Sequence, residues 1–162
     1  MKQTITLILL LAAALLSAPE ASAQGPGLDI RYGANRYITR HAGIPVGPSA
    51  VTLSFHKGAG AVAFAADIPS GKGPLGLHAR AGFHAGGKHI AFSPFAAVRC
   101  AWTDSAGNIC AGYGATLSFR LLGPVGAYCE TYWLHPVYAW KDGMAFERRR
   151  EAILSVGVQV SI

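Results

Sequence analysis

The sequence has 162 residues, which is enough for one domain and leaves no room for a second sizeable core. Apolar residues make up 51% of it, 20 residues are glycine and only 14% are charged, a composition that would be unusual for a free-standing soluble protein. The formal net charge is +6, but the positive residues are scattered except at Glu147-Arg148-Arg149-Arg150-Glu151, so no basic stripe predicts a nucleic-acid partner.

The N-terminus has the pattern of a secretory signal peptide. Lys2 provides a positive start, the apolar run Ile5–Leu16 follows, and Ala21-Ser22-Ala23 is a small-residue cleavage site ahead of Gln24. The apolar run has 12 residues, too few for a membrane-spanning helix, which argues against an uncleaved anchor. We therefore predict that residues 1–23 are removed and that residues 24–162 form the exported domain.

The mature chain alternates between apolar and polar residues and has almost no helical periodicity, which favours an all-β fold. The clearest predicted strands are Ile109–Leu121, Leu75–Phe83 and Ala152–Ile162. Five less regular ones complete the set: Leu28–Ala34, Ala50–His56, Ala61–Asp67, Lys88–Trp102 with a bulge expected at Pro94, and Val125–Trp140 with a break expected near Pro136. The second and third of these, at about seven residues, are shorter than the roughly 9 to 11 that a membrane-spanning strand needs.

The polar faces of these strands distinguish the pattern from an ordinary soluble sandwich. They are built from Gly, Ser and Thr with isolated charges, whereas the solvent face of a soluble sheet is usually rich in charged residues. Small residues and paired charges suit the narrow interior of a closed barrel, so the apolar faces should point outward. The charges predicted to lie inside the barrel are Arg80, Arg99, Arg120 and Glu130.

The predicted connections alternate in length. In chain order they are Asn35–Ser49 (long), Lys57–Gly60 (short), Ile68–Pro74 (long), His84–Gly87 (short), Thr103–Asn108 (medium), Leu122–Pro124 (short) and Lys141–Glu151 (long). Membrane barrels have this rhythm, with the longer loops outside the cell and the tight turns in the periplasm. Aromatic residues near the strand ends, such as Trp102, Phe119 and Trp140, are typical of interfacial girdles, although any one of them could equally pack a core.

These features together resemble the small eight-stranded outer-membrane barrels of Gram-negative bacteria, the OmpA/OmpX type. The resemblance is carried by the N-terminal segment, the strands GYGATLSFRLL and ILSVGVQVSI, and the loop rhythm. It implies an antiparallel up-and-down transmembrane β-barrel with a non-enzymatic structural or surface-interaction role. The chain departs from that family at its last residue, Ile162, where the family usually has an aromatic residue that the insertion machinery reads.

Two alternatives stand beside this interpretation. The stretches Gly27-Leu28-Asp29-Ile30 and Val156-Gly157-Val158 are similar to ones in the conjugal transfer protein TraO of Bacteroidetes, which would imply a component of a conjugation apparatus. The other alternative is a soluble periplasmic lipocalin-like barrel that binds an apolar ligand. It requires the apolar faces to point inward.

The outer loops are the predicted contact surface. Asn35–Ser49 and Lys141–Glu151 are the longest connections, and Arg148, Arg149 and Arg150 in the second could pair with lipopolysaccharide phosphates. A protein partner could bind the same loops. A conducting pore is not expected, because eight strands enclose little more than the space of their own side chains, although several inward glycines would leave room for a thin wet channel.

The three cysteines lie in a chain expected to reach an oxidising compartment. Cys100 and Cys110 flank a predicted turn, which would allow a disulfide across the hairpin. Strand alternation argues against it, because Cys110 shares a face with Gly112 whereas Cys100 shares one with Val98.

No residue pattern predicts a cofactor, a metal centre or catalysis. His78, His84 and His89 match no metal-ligand spacing. His89 and Ser93 share a face of a predicted strand, but a regular strand separates them by about 13 Å, too far for a nucleophile and its base.

Overall fold

The computed structural model describes residues 26–38, 47–70, 74–87, 89–104, 106–141 and 151–162. The predicted signal peptide, residues 1–23, lies outside these ranges, as do Arg148, Arg149 and Arg150. The strands, in chain order, are β1 (Gly27–Tyr37), β2 (Ser49–Lys57), β3 (Gly60–Ile68), β4 (Leu75–Phe83), β5 (Ala85–Gly86), β6 (Ile90–Trp102), β7 (Ala106–Leu122), β8 (Val125–Lys141) and β9 (Glu151–Ser161).

Eight long strands close into an antiparallel barrel. Each pairs with its neighbour along the chain, and β1 pairs with both β2 and β9, so the first and last strands close the sheet. The two-residue β5 pairs only with β6 and leaves the ladder between β4 and β6 otherwise continuous. The all-β, eight-stranded fold predicted from the sequence is confirmed. Among the described residues, no helix is long and apolar enough to cross a membrane.

Several strands extend beyond their predicted bounds. Strands β2 and β3 each have 9 residues, which reaches the lower limit of about 9 for a membrane-spanning strand. The extra residues at their ends, such as Ser49 and Gly60, break the alternation of apolar and polar residues. A prediction from alternation alone therefore did not include them. Strand β7 begins at Ala106, so the medium-length loop predicted for Thr103–Asn108 is wrong and only residues 103–105 separate β6 from β7.

The two prolines act differently from each other. The break expected near Pro136 is a bulge: Ile109 opposes Tyr138 while Cys110 opposes Pro136, which leaves Val137 without a partner. The bulge expected at Pro94 is wrong, because the ladder between β6 and β7 passes this residue without a register shift. The ladder with β4 stops beside it instead, after Phe95. Proline has no N–H, so Pro94 cannot donate a hydrogen bond to β4.

The connections at one end of the barrel are tight. Gly58 and Gly123, with φ of 57° and 54°, take left-handed conformations in the turns after β2 and β7, where glycine has no steric penalty. The turn after β4 is closed by a 2.8 Å hydrogen bond from the Gly87 N–H to the Ile90 carbonyl. We call this the turn end, and the opposite end, where residues 38–48 connect β1 to β2, the loop end.

Each strand alternates between buried and exposed residues, and the buried side faces the barrel interior. In β4 the buried residues are Gly76, His78 and Arg80, while Leu75, Leu77 and Ala79 are exposed. In β9 Val156, Val158 and Val160 are exposed, whereas Ser155 and Gln159 are buried. The barrel is therefore polar inside and apolar outside, the reverse of a soluble protein.

Candidate functional site: a charged interior and an apolar outer face

Near the loop end, one carboxylate contacts both a histidine and an arginine. An oxygen of the Asp67 carboxylate lies 2.9 Å from Nε2 of His78, and the other accepts hydrogen bonds from Nη2 and Nε of Arg99 at 3.0 and 3.2 Å. These side chains are almost completely buried, with exposed fractions of 0–1%. Buried charges are tolerated when they are paired and hydrogen-bonded, as these are.

At mid-height, Arg80 on β4 pairs with Glu130 on β8. Their closest atoms, Nη1 and Oε2, are 2.7 Å apart, and the Thr116 hydroxyl donates a 2.8 Å hydrogen bond to the same carboxylate oxygen. The guanidinium also lies against the rings of Phe95 and Tyr132, at 5.0 and 5.3 Å from their centroids. Cation–π contacts of this kind add to the stabilisation of a desolvated arginine.

Towards the turn end, a third cluster is centred on Arg31. Its Nη2 donates to the Asp29 carboxylate at 3.2 Å, and its Nε donates to the Gln159 side-chain oxygen at 3.3 Å. The guanidinium lies 5.8 Å from the centroid of the Tyr128 ring. Three ionic clusters, one above the other, thus occupy much of the interior from one end to the other.

Glycines provide the space for these side chains. A Cβ at Gly76 would collide with the Asp67 carboxylate and approach Arg99, and one at Gly33 would collide with the Tyr128 hydroxyl. The inward glycines in the sequence therefore make room for long polar side chains on other strands.

The structure places three of the four predicted interior charges in these clusters: Arg80, Arg99 and Glu130. Arg120 follows the inward alternation of β7 but is exposed at the turn end. Sequence reasoning missed Asp29, Arg31 and Asp67. Strand alternation could have placed Asp29 and Arg31 inside the barrel, because they flank the outward-facing Ile30. It could not have identified the residues with which they pair.

All three cysteines are free thiols. Cys100 opposes Ile109 in the ladder and Cys110 opposes Arg99, so the two sulfurs point to opposite faces of the sheet. The structure therefore contains no disulfide between Cys100 and Cys110, and the physical reason is the alternation of side chains along paired strands. Cys129 is exposed on the outer face.

His78 and His84 lie in different parts of the barrel. His78 belongs to the Asp67 cluster, while His84 lies at the turn end, where its Nδ1 is 3.1 Å from the Ser93 hydroxyl. Ser93 thus contacts His84 and not His89. Within the described residues, no carboxylate accepts a hydrogen bond from His84, and no group of three or more His, Cys, Asp and Glu residues could hold a metal ion.

The outer face is a continuous apolar surface. Phe64, Tyr113 and Val158 are more than half exposed, with exposed fractions of 59%, 57% and 57%. The exposed large apolar residues of the barrel strands include Ile30, Tyr32, Val51, Leu53, Phe55, Val62, Phe64, Leu75, Leu77, Val98, Tyr113, Leu117, Val156, Val158 and Val160. A surface of this extent requires an apolar environment or a partner.

No protein-family model and no curated protein matches the sequence. Among solved structures, the barrel is similar to the N-terminal β-barrel domain of OprF from Pseudomonas aeruginosa, with a TM-score of 0.51 and 14% sequence identity over 86% of this chain and 98% of that one. The likeness shows a shared fold, a closed antiparallel β-barrel, and agrees with the architecture that the sequence resemblance implies. It gives no support to the similarity with TraO.

Proposed function

We propose that this chain is a non-enzymatic β-barrel protein of the outer membrane, with a structural or surface-interaction role. The observation that carries the proposal is the inverted distribution of polarity, with ionic clusters inside and an apolar surface outside. A lipid bilayer satisfies such a surface, and the closed sheet leaves no unpaired strand edge in contact with lipid. The fold shared with the OprF domain supports the same conclusion.

The orientation follows from the two ends of the barrel. The turn end would face the periplasm and the loop end the exterior, as in other bacterial barrels. The connections at residues 38–48 and 142–150 would then reach lipopolysaccharide or a protein partner. Alanine replacement of Arg148, Arg149 and Arg150 should weaken lipopolysaccharide binding. The soluble lipocalin-like alternative requires the opposite arrangement of polar and apolar faces.

Membrane fractionation of a Gram-negative host tests the proposal. We expect the mature protein to sediment with the outer membrane, to remain there after high-salt and carbonate washes, and to be extracted by detergent. Folding is checked in the same samples by the difference in electrophoretic mobility between unheated and heated protein, which compact barrels show. Folded protein released with the soluble periplasm would overturn the proposal.

A further inference from the structure

The turn end of the barrel opens into a polar cavity, which we call the mouth. Its volume is about 70 Å³, and its lining includes Asp29, His56, His84, His89, Arg120 and Gln159. A buried water needs roughly 10 to 15 Å³ on the same measure, so the cavity has room for several waters or for one small polyatomic ion.

Two imidazoles form one wall of this cavity. His56 lies on β2 opposite Ala61, and the N–H of His84, in the turn after β4, donates to the carbonyl of Ala59 just before β3. Their rings stack with centroids 4.3 Å apart and planes 10° apart. The Nδ1 atom of His56 is buried and makes no hydrogen bond. Its nearest carboxylate oxygen, on Asp29, is 3.9 Å away, beyond hydrogen-bond distance.

The charge balance at this mouth is positive. The one carboxylate among the described lining residues, Asp29, is already paired with Arg31 at 3.2 Å. Arg120 is exposed on β7 and forms no ion pair with a described residue. Of the other described groups at this cavity, His89 is titratable, whereas Ser93 from β6 and Gln159 from β9 are uncharged. The net charge is therefore that of Arg120 plus any protonated histidine.

We propose that this mouth binds a tetrahedral oxyanion, a sulfate or a phosphate that is either free or part of a lipid headgroup, between Arg120 and the stacked His56 and His84, and that binding strengthens as the histidines protonate. The guanidinium offers paired N–H donors that match two oxygens of such an ion. Protonated imidazoles offer further N–H donors, including the Nδ1 of His56 that now lacks an acceptor.

Protonation and anion binding should be coupled. Burial lowers the pKa of His84, and the neighbouring His56 and the positive charges of Arg31 and Arg120 lower it further, while Asp29 acts in the opposite direction. An anion bound beside the two stacked rings offsets their mutual repulsion. By linkage, the anion must raise the histidine pKa values by as much as protonation raises its affinity.

Calorimetric titration with sulfate tests the proposal, because sulfate keeps its double charge across the range in which histidine titrates. The folded chain in a non-ionic detergent should bind sulfate about tenfold more tightly at about pH 5.5 than at about pH 8. Arg120→Gln should weaken binding at both pH values, and a double His56→Asn, His84→Asn variant should remove the pH dependence. The matched control is Arg36→Gln, an exposed arginine on the outward side of β1, which should leave binding unchanged.

Two results would overturn the proposal. One is equal sulfate affinity at both pH values in folded protein, and the other is a loss of binding in Arg36→Gln as large as in Arg120→Gln, which would indicate general charge attraction. Nanodiscs of phosphatidylcholine with and without phosphatidylglycerol distinguish the sources, since only a lipid-headgroup site would lose sulfate binding when the anionic lipid is present. The mouth belongs to the folded barrel wherever the barrel is located, so a failure to bind sulfate would leave the membrane location unaffected.

Discussion

The Arg80–Glu130 pair shows how single residues hold the barrel interior together. Both side chains are at least 95% buried, and removal of one partner leaves a buried charge uncompensated, which typically costs about 3–5 kcal/mol. We expect Glu130→Gln to lower the free energy of unfolding, measured by urea titration in detergent, by that amount. A double Arg80→Met, Glu130→Met variant should lose less, and Arg36→Gln should change stability by less than about 0.5 kcal/mol. A near-neutral Glu130→Gln would show that the pair contributes little.

The cysteines of the β6–β7 hairpin lie on opposite faces of the sheet, which predicts that they stay reduced. Because Cys100 points outward and Cys110 inward, the protein should contain three thiols even after export to an oxidising compartment. Unfolding without reductant in the presence of an alkylating reagent, followed by intact-mass measurement, should show modification at Cys100, Cys110 and Cys129. Modification of a single cysteine would reveal a disulfide between the other two.

The stacked histidines predict a pH dependence of stability. The pKa of His84 in the folded protein is lowered from its ordinary value of 6.5, chiefly by burial. The unfolded chain therefore binds this proton at a higher pH than the folded protein does, so stability is complete above about pH 6.5 and decreases as the pH falls below it. In buffers without oxyanions, unfolding titrations should show this decrease, and His84→Asn should flatten it. An unchanged slope in the variant would assign the effect to other groups.

At the scale of a strand, substitutions on the outer face of β9 show whether that face contacts lipid or water. Val156 is 46% exposed on this face, and in a membrane a lysine there should cost about 2–4 kcal/mol of unfolding free energy, whereas the same change near an interface should cost about 0–1. We expect Val156→Lys to be strongly destabilising in lipid bilayers. Ile162→Lys, at the turn end, is the matched control. In a barrel exposed to water both changes would be nearly neutral, so equal effects would contradict the membrane proposal.

The strand bounds also show how far the alternation of apolar and polar residues predicts secondary structure. The bounds of β4 were predicted to the residue, because Leu75–Phe83 alternates without interruption. Strands β2 and β3 were each predicted two residues too short, because their terminal residues are held by cross-strand pairs such as Ser49 with Ile68 and Lys57 with Gly60. Such pairs depend on register, which alternation alone does not fix.

At the scale of the whole molecule, the signal peptide predicted for residues 1–23 can be tested directly. The segment before Gln24 has the charge, apolar run and small-residue site that signal peptidase recognises. We expect the protein recovered from membranes to begin at Gln24, as shown by N-terminal sequencing or intact mass. A change of Ala21 and Ala23 to large residues should leave the precursor uncleaved, and recovery of the unchanged mature mass would argue for another cleavage site.

The sequence by itself determined the two faces of the barrel, because a period of two assigns every residue of a strand to one side once a single residue is assigned. It also placed Arg80, Arg99 and Glu130 on the inward side. Which charges meet was decided only by the tertiary structure, since Asp67 and Arg99 lie on β3 and β6, separated by β4, and meet because the register of these three strands places both beside Gly76. The stacking of His56 on His84 arises in the same way, because the register of β2, β3 and β4 brings together two residues that are distant in the sequence.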